Sequence, residues 1–518
     1  MKWLGRLVAL SAAMLVNAPA FAGPRDGTLT VALSSPIEAV DIYMGPGPET
    51  ALTTSGVFNP LVVYDTRAKA YVGVIAESWA QIDPETMEFK IKPGLTFQDG
   101  SALDANDVAY TINFISNPDV KFRLKSRFAQ FAGAEAVDDL TVRVHSHGPF
   151  PMLLARLIGM SIYPSDLHSA LGADYASWGR APVGSGPYKV VSYSDSTGIV
   201  LERWDGYQLG PLPEIERIVF KFVPDAQTQV AEMMVGGVDL LFARSPDQVT
   251  ALSSLPNITS SMVEDMYFQY IYLDAAGRSG IEAFKDKRVR QAAFIAIDRN
   301  AIRNNIVPGG ADTDEMLTLC YPFQVGCPEG DGMPGYDPEK ARALLAEAGY
   351  ADGFDLKVSS WGSSVPIAEA VTGYLRAVGI RASVDVLTIE SYRKKQVEGG
   401  LQALVSNYPY GGLPDSGADL DFFFGSADRD YLRNARVTAL TKQVNTTLDA
   451  AERNALFKEA FDAVAAEYFI LPISKYPAVI VHSSEVSVDA SSRGDVLFAQ
   501  LSAFESYGDT PPIIGWAN

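Results

Sequence analysis

The stretch from Ser406 to Phe423 concentrates the chain's candidate chemistry. It holds four aromatics (Tyr408, Tyr410, Phe422, Phe423), five glycines or prolines, and three carboxylates, Asp415, Asp419 and Asp421. Aromatic walls with a few aimed polar groups are the composition of a small-molecule cleft. Asn407 adds a neutral donor and acceptor to the same loop. A buried carboxylate facing a cation makes a strong charge-assisted hydrogen bond. The same aspartates could instead serve the backbone as turn and cap residues. Two further aromatics follow strand-like runs. Trp361 comes after Val358-Ser359-Ser360, and Tyr43 lies downstream of the first strand. Ligands of open α/β sheets gather at the carboxyl ends of strands, so Tyr43 joins Asn407, Tyr408, Tyr410, Asp415 and Asp419 as a candidate ligand contact. Tyr267, Phe268, Gln269 and Tyr270 read mainly as structural strand residues.

Catalytic chemistry leaves no comparable trace. An enzyme needs a nucleophile, a base and a means of stabilising charge. The chain has no G-x-S-x-G, H-E-x-x-H, P-loop or dinucleotide fingerprint. Gly184-Ser185-Gly186 lacks the hydrolase spacing and reads as a turn. No catalytic residue is predicted. Of four histidines, His145 and His147 would share one strand face, but no third ligand lies near them in sequence. His168 and His482 stand alone. No metal and no cofactor are predicted. Cys320 and Cys327 are the only cysteines. In an oxidising compartment they predict one small-loop disulfide.

The elements that must position these groups alternate along the chain. Thr28–Leu33 predicts a strand. A helix over 227–235 precedes a strand over 238–242. Residues 337–350 form the clearest helix, with Asp337 as cap, Pro338 in the first turn and Gly349 as stop. Residues 379–386 return to strand periodicity. A helix over 448–467 precedes an apolar strand over 468–473. Mixed order of this kind predicts α/β lobes with helices on the sheet faces.

The N-terminus carries Lys2 and Arg6, an apolar run from Leu7 to Val16, and Ala20-Phe21-Ala22. This predicts a secretory signal peptide over residues 1–22. The run is too short to span a bilayer, so no stable membrane insertion is expected. No cysteine follows the cleavage site to carry a lipid. A soluble periplasmic protein of a Gram-negative bacterium is predicted. The net charge of −20 argues against nucleic acid, whose phosphates need clustered Lys and Arg, without forbidding a local cationic pocket. It argues equally against docking on anionic lipid.

Residues 76–111, AESWAQIDPETMEFKIKPGLTFQDGSALDANDVAYT, resemble a signature of the family 5 extracellular solute-binding proteins. These are the dipeptide-, oligopeptide- and nickel-binding receptors of ABC importers. Pro182-Val183-Gly184-Ser185-Gly186-Pro187-Tyr188, the run from Phe284 to Ala292 with Ala296-Ile297-Asp298-Arg299, and the stretch from Tyr336 to Tyr350 resemble further family elements in the same order. The resemblance covers nearly all of the chain after residue 22. It implies an α/β, two-lobed periplasmic binding protein of type II, from the large cluster with an extra subdomain on lobe I. Its discontinuous lobes are joined by two crossings. Lobe I takes 23–65, 182–273 and 489–518, the extra subdomain 66–181, and lobe II 274–488. Crossings are placed near 272–274 and 486–488.

The resemblance further implies capture of a small polar solute between the lobes and delivery to the permease subunits of an ABC importer by a monomer. Short peptides are the default. Opine-like conjugates, oligosaccharides and metal chelates are the alternatives, with a secreted hydrolase or a chaperone-like role more remote. In peptide-binding members an Asp of the matching loop pairs with the ligand's α-ammonium. Here Ser406 stands where the family often has Trp, and the Asp is displaced by a few residues. Asp415 is the first candidate for that role and Asp419 the second. Members often line the cleft at a strand end such as that of Trp361, so the resemblance adds Trp361 to the candidate ligand contacts.

Overall fold

The computed structural model describes residues 27–45, 48–122, 125–263, 266–330, 333–408, 413–489 and 514–517. The predicted signal peptide and Tyr410 lie outside them. Two mixed sheets dominate. The first has seven strands in the order Ile258–Val263, Ala478–Ser483, Leu240–Phe242, Thr28–Leu33, Arg217–Phe222, Gly198–Arg203 and Tyr188–Ser194. The second has five, in the order Arg381–Val386, Asp355–Ser360, Ala403–Asn407, Phe268–Leu273 and Ile470–Lys475. A four-stranded antiparallel sheet, with all its strands between Ala76 and Ser146, forms the extra subdomain. Its inward residues Phe89, Val142 and Val144 share one buried core with Leu29 and Val31 of the seven-stranded sheet. The subdomain is therefore packed onto lobe I.

Local signals place the helices. Asp104 caps Ala105–Ser116 in a reciprocal capping box with Asp107. Asp337 caps Pro338–Glu347 by accepting from Lys340 N at 2.9 Å. Gly349, just past that helix, takes φ +87°, a left-handed stop that a side chain would resist.

Both crossings differ from the sequence expectation. Phe268–Leu273 is a fully buried strand, hydrogen-bonded between Ala403–Asn407 and Ile470–Lys475. Aromatic and β-branched residues buried on both faces make a central strand, which cannot serve as a crossing. The chain therefore passes to lobe II between Val263 and Phe268. It returns between Lys475 and Ala478, because Ala478–Ser483 already pairs within the seven-stranded sheet. Val486–Val488 pairs instead with Ile514–Trp516. The proposed subdomain boundary at residue 66 also cuts a hairpin, since Val62–Asp65 pairs with Ala70–Gly73.

These pairings fix where a cleft must lie. In lobe I, Thr28–Leu33 runs parallel to Arg217–Phe222 and to Leu240–Phe242. In lobe II, Asp355–Ser360 runs parallel to Arg381–Val386 and Ala403–Asn407. Phe268–Leu273 is antiparallel to its neighbours and starts at the edge where those strands end. Both crossings thus leave from the carboxyl edges of the parallel strands, the edges at which open α/β sheets bind ligands.

An acid and an imidazole sit buried where the subdomain meets lobe I. Asp41 is fully buried and accepts from Tyr163 Oη at 2.7 Å and Tyr43 N at 2.8 Å. His168 stacks on Tyr163 with ring centroids 4.2 Å apart. Burial pushes the Asp41 carboxyl up to about 6, against its hydrogen bonds. Burial pushes the His168 imidazole down to about 4. For Asp41 the folded state holds its proton more tightly than the unfolded chain does. The fold therefore loses stability as pH rises from about 4 through about 6. A rise of about two units corresponds to ~3 kcal/mol. Asp41→Asn should accordingly be more stable than wild type at pH 8 by up to that amount. Urea midpoints should show the advantage vanishing towards pH 4. An advantage of constant size would place its origin elsewhere than in the carboxylate charge.

Candidate functional site

Lobe II brings three of the expected residues together and gives each a different environment. Asp415 is 2% exposed. Its Oδ2 accepts from Arg453 Nη1 at 2.6 Å, and its Oδ1 accepts from Arg453 Nη2 at 2.8 Å and Gly417 N at 2.9 Å. Arg453 is itself held by Val444 O at 2.7 Å and lies over the Phe457 ring. This is a bidentate, desolvated ion pair internal to lobe II, and both Asp415 oxygens are engaged in it.

Asp419 is equally buried but half-occupied. Its Oδ2 accepts from Gln324 Nε2 at 3.1 Å. Its Oδ1 finds no hydrogen-bond partner among the described residues. Burial pushes the carboxyl well above its usual range, and the negative charge of Asp415 adds to the rise. Hydrogen bonds from Tyr408 and Gln324 oppose it. Tyr408 is 4% exposed and stacks on Phe268, with centroids 5.0 Å apart. It is a wall whose hydroxyl serves Asp419.

The strand ends of the five-stranded sheet supply unused donors. Gln269 pairs with Asn407 in the ladder, and its amide oxygen accepts from Ser364 Oγ at 2.8 Å. The Gln269 Nε2, Ser360 Oγ and Trp361 Nε1 atoms are buried without a partner among the described residues. Trp361 is half-buried and stacks on Tyr392 with centroids 5.8 Å apart. Buried polar groups are normally paired, so this edge offers donors to something that completes it. The sequence marks Gln269 mainly as a structural strand residue. Its strand register places its amide at the cleft edge.

The lobe I side departs further from expectation. Tyr43 does not reach the cleft. It is fully buried, donates to Ser161 O at 3.1 Å and packs edge-on against Phe122, Phe128 and Tyr163. The short strand-end segment carrying it turns back into the subdomain junction. A cavity opens beside it, lined by Ile42, Thr54, Phe58, Val63, Met160 and Ser161 among others. The hydroxyls of Thr54 and Ser161 have no partner among the described residues.

Arg156, a half-buried residue in the helix Leu153–Leu157, carries a buried Nε without a partner among the described residues. Its sequence signal was a cation inside the apolar run Met152–Ile158. The lobes also touch directly. Tyr64 Oη donates to Phe323 O and Lys69 Nζ to Pro322 O, each at 2.9 Å. Both carbonyls lie in the loop closed by the Cys320–Cys327 disulfide, which forms as the spacing predicted.

Comparison with known proteins agrees with this architecture. The chain is 27% identical over 489 residues to the glutathione-binding protein GsiB of Pectobacterium atrosepticum, covering 90% of this chain and 91% of that one. Its structure resembles that of the periplasmic binding protein DppA of Helicobacter pylori in complex with the peptide STSA. The TM-score is 0.73 at 20% identity, over 90% of this chain and 97% of that one. It resembles AgaA of A. tumefacien R10 in complex with agropinic acid with a TM-score of 0.74 at 20% identity, over 94% and 99% of the two chains. Among the described residues no helix is long and apolar enough to cross a membrane. The sequence profile of the bacterial extracellular solute-binding proteins, family 5 Middle, matches residues 70–431, and the chain belongs to that family.

Proposed function

We propose that this chain captures a short peptide or a peptide-like zwitterion in the interlobe cleft and hands it, chemically unchanged, to an ABC importer. Residues 1–22 would export it, and it would work as a periplasmic monomer with no catalytic role. The observation that carries the ligand reading is Asp419 Oδ1, a buried carboxylate oxygen with no partner among the described residues. A buried acid in that state is completed by a cation, and the α-ammonium of a peptide is one. Asp415, the first candidate from sequence, already has its cation in Arg453. Gln269, Trp361 and Asn407 supply donors and acceptors suited to peptide groups. Closure follows when ligand binds the closed form better than the open one.

Glutathione, named for the relative above, is itself a γ-linked peptide with one free ammonium. Calorimetric titration with dialanine, trialanine, glutathione and agropinic acid checks the reading. Saturable binding of at least one of the first three is expected, with the ligand recovered intact by mass spectrometry. A flat response to all three sinks it, and binding of agropinic acid alone would move the protein to opine capture.

A further inference from the structure

We infer that the loop closed by Cys320–Cys327 braces lobe II against lobe I and sets the hold on cargo, with Tyr64 and Gln324 as its positioning residues. The effect on cargo rests on the capture reading above, whereas the brace itself stands without it.

The disulfide loop is fastened in three directions. Towards lobe I, the Pro322 and Phe323 carbonyls accept from Lys69 Nζ and Tyr64 Oη, each at 2.9 Å. Towards the buried carboxylates, Val325 N donates to Pro414 O at 2.8 Å, and Ser416 N donates to Val325 O at 3.0 Å. Towards the hinge, Tyr321 Oη donates to Tyr267 O in the first crossing. The same carbonyl accepts from Tyr476 N in the second crossing at 2.8 Å. One short loop thus touches both lobes and the point where the two crossings meet.

Gln324 ties these fastenings to Asp419. Its Oε1 accepts from Tyr321 N at 2.7 Å. That leaves its Nε2 to face Leu413 O at 2.7 Å and Asp419 Oδ2 at 3.1 Å. An amide turned over would set its oxygen against the carboxylate and leave Tyr321 N without an acceptor. The outline of the loop therefore dictates which oxygen of Asp419 is taken and which is left for a ligand.

The interlobe contact is desolvated. Tyr64 is 1% exposed and Phe323 2%. Parting the lobes here would strand a buried carbonyl, which is unfavourable. The cross-link itself closes only a short loop, the case in which it removes least entropy from the unfolded chain. Its contribution is the shape of the loop. A dithiol would reduce it by thiol–disulfide exchange: the S–S bond takes up two electrons and two protons to give two thiols, and the dithiol closes to its own disulfide. The Phe323 carbonyl and the Gln324 amide would then lose their fixed positions together.

Two measurements test the brace. Hydrogen exchange without ligand compares native protein with protein reduced by dithiothreitol and with Cys320→Ser/Cys327→Ser. Exchange should quicken by about 3-fold or more in residues 62–73 of lobe I and in 413–419, as well as in the loop. Faster exchange confined to 320–327 overturns the brace. Stopped-flow binding of trialanine and glutathione then reads the hold on cargo. Tyr64→Phe keeps the aromatic ring and removes the hydroxyl. It should raise the off-rate by about 3- to 10-fold, the factor of one hydrogen bond, and leave the on-rate within about 2-fold.

Tyr64→Phe added to the disulfide-free protein should bring no further rise, since the contact it deletes is already lost. An unchanged off-rate in oxidised Tyr64→Phe, or losses that simply add, overturn the coupling whether or not the cysteine variant folds. If neither peptide binds wild type, the capture reading falls, and exchange in residues 62–73 alone upholds or overturns the brace.

Discussion

Arg453→Leu should lower the free energy of unfolding by about 3–5 kcal/mol, the range for removing one partner of a buried ion pair. The loss is large because Asp415 stays behind. It is 2% exposed, and both its oxygens lose their strongest donors. Val444 O loses its donor as well. Asp415 must then either remain charged in an apolar site or take up a proton. Replacing both residues, Arg453→Leu with Asp415→Leu, should restore most of the stability, because apolar pairs often match buried ion pairs. Urea denaturation of the two single variants and the double closes the cycle. A single-variant loss below about 1 kcal/mol would mean that Asp415 is solvated and open to ligand after all.

Asp419→Asn should separate binding from stability in opposite directions. Its raised pKa means that the folded state disfavours the carboxylate. That charge withdraws stability as pH rises past the usual carboxylate range. Asparagine keeps the acceptor for Gln324 and removes the charge, so the variant should be at least as stable as wild type at pH 7. A ligand ammonium at Oδ1 favours the ionised form and displaces its proton. Affinity in wild type should therefore climb with pH, and the variant should lack that climb. The loss of affinity for an amine-bearing ligand should be about 2–5 kcal/mol, roughly 30-fold to several-thousand-fold. Calorimetry at two pH values reads both effects. Unchanged affinity in a well-folded variant would remove Asp419 from the ammonium site.

Much of the fold is legible in near-neighbour chemistry. The strand Thr28–Leu33 and the capped helix beginning at Pro338 follow from periodicity, caps and the glycine stop. Those signals act over a few residues, so the sequence carries them intact. Legibility ends where satisfaction of a group depends on distant chain. Asp415 stands just before the helix Gly417–Phe424 and Asp419 in its first turn, four residues apart and equally buried. Only the fold brings in Arg453, 38 residues on, to neutralise the first. Only the fold brings Gln324, 95 residues back, to half-occupy the second.

Tyr43 follows a strand end as expected, yet its hydroxyl is captured 118 residues away by Ser161 O. The crossings shifted for a related reason. Whether an apolar run is a hinge or a central strand is decided by what pairs on either side of it, and partners 130 to 200 residues away leave no local mark on the run itself.

The sequence by itself thus determined the α/β element order, the family likeness and the cysteine pair, because each is encoded in short spacings or in motifs kept in order. The tertiary structure decided which carboxylate keeps an oxygen unpaired among the described residues and where the two sheets join. Charge pairing and sheet membership are properties of surroundings, and for these residues the surroundings are assembled from stretches of chain far apart in sequence.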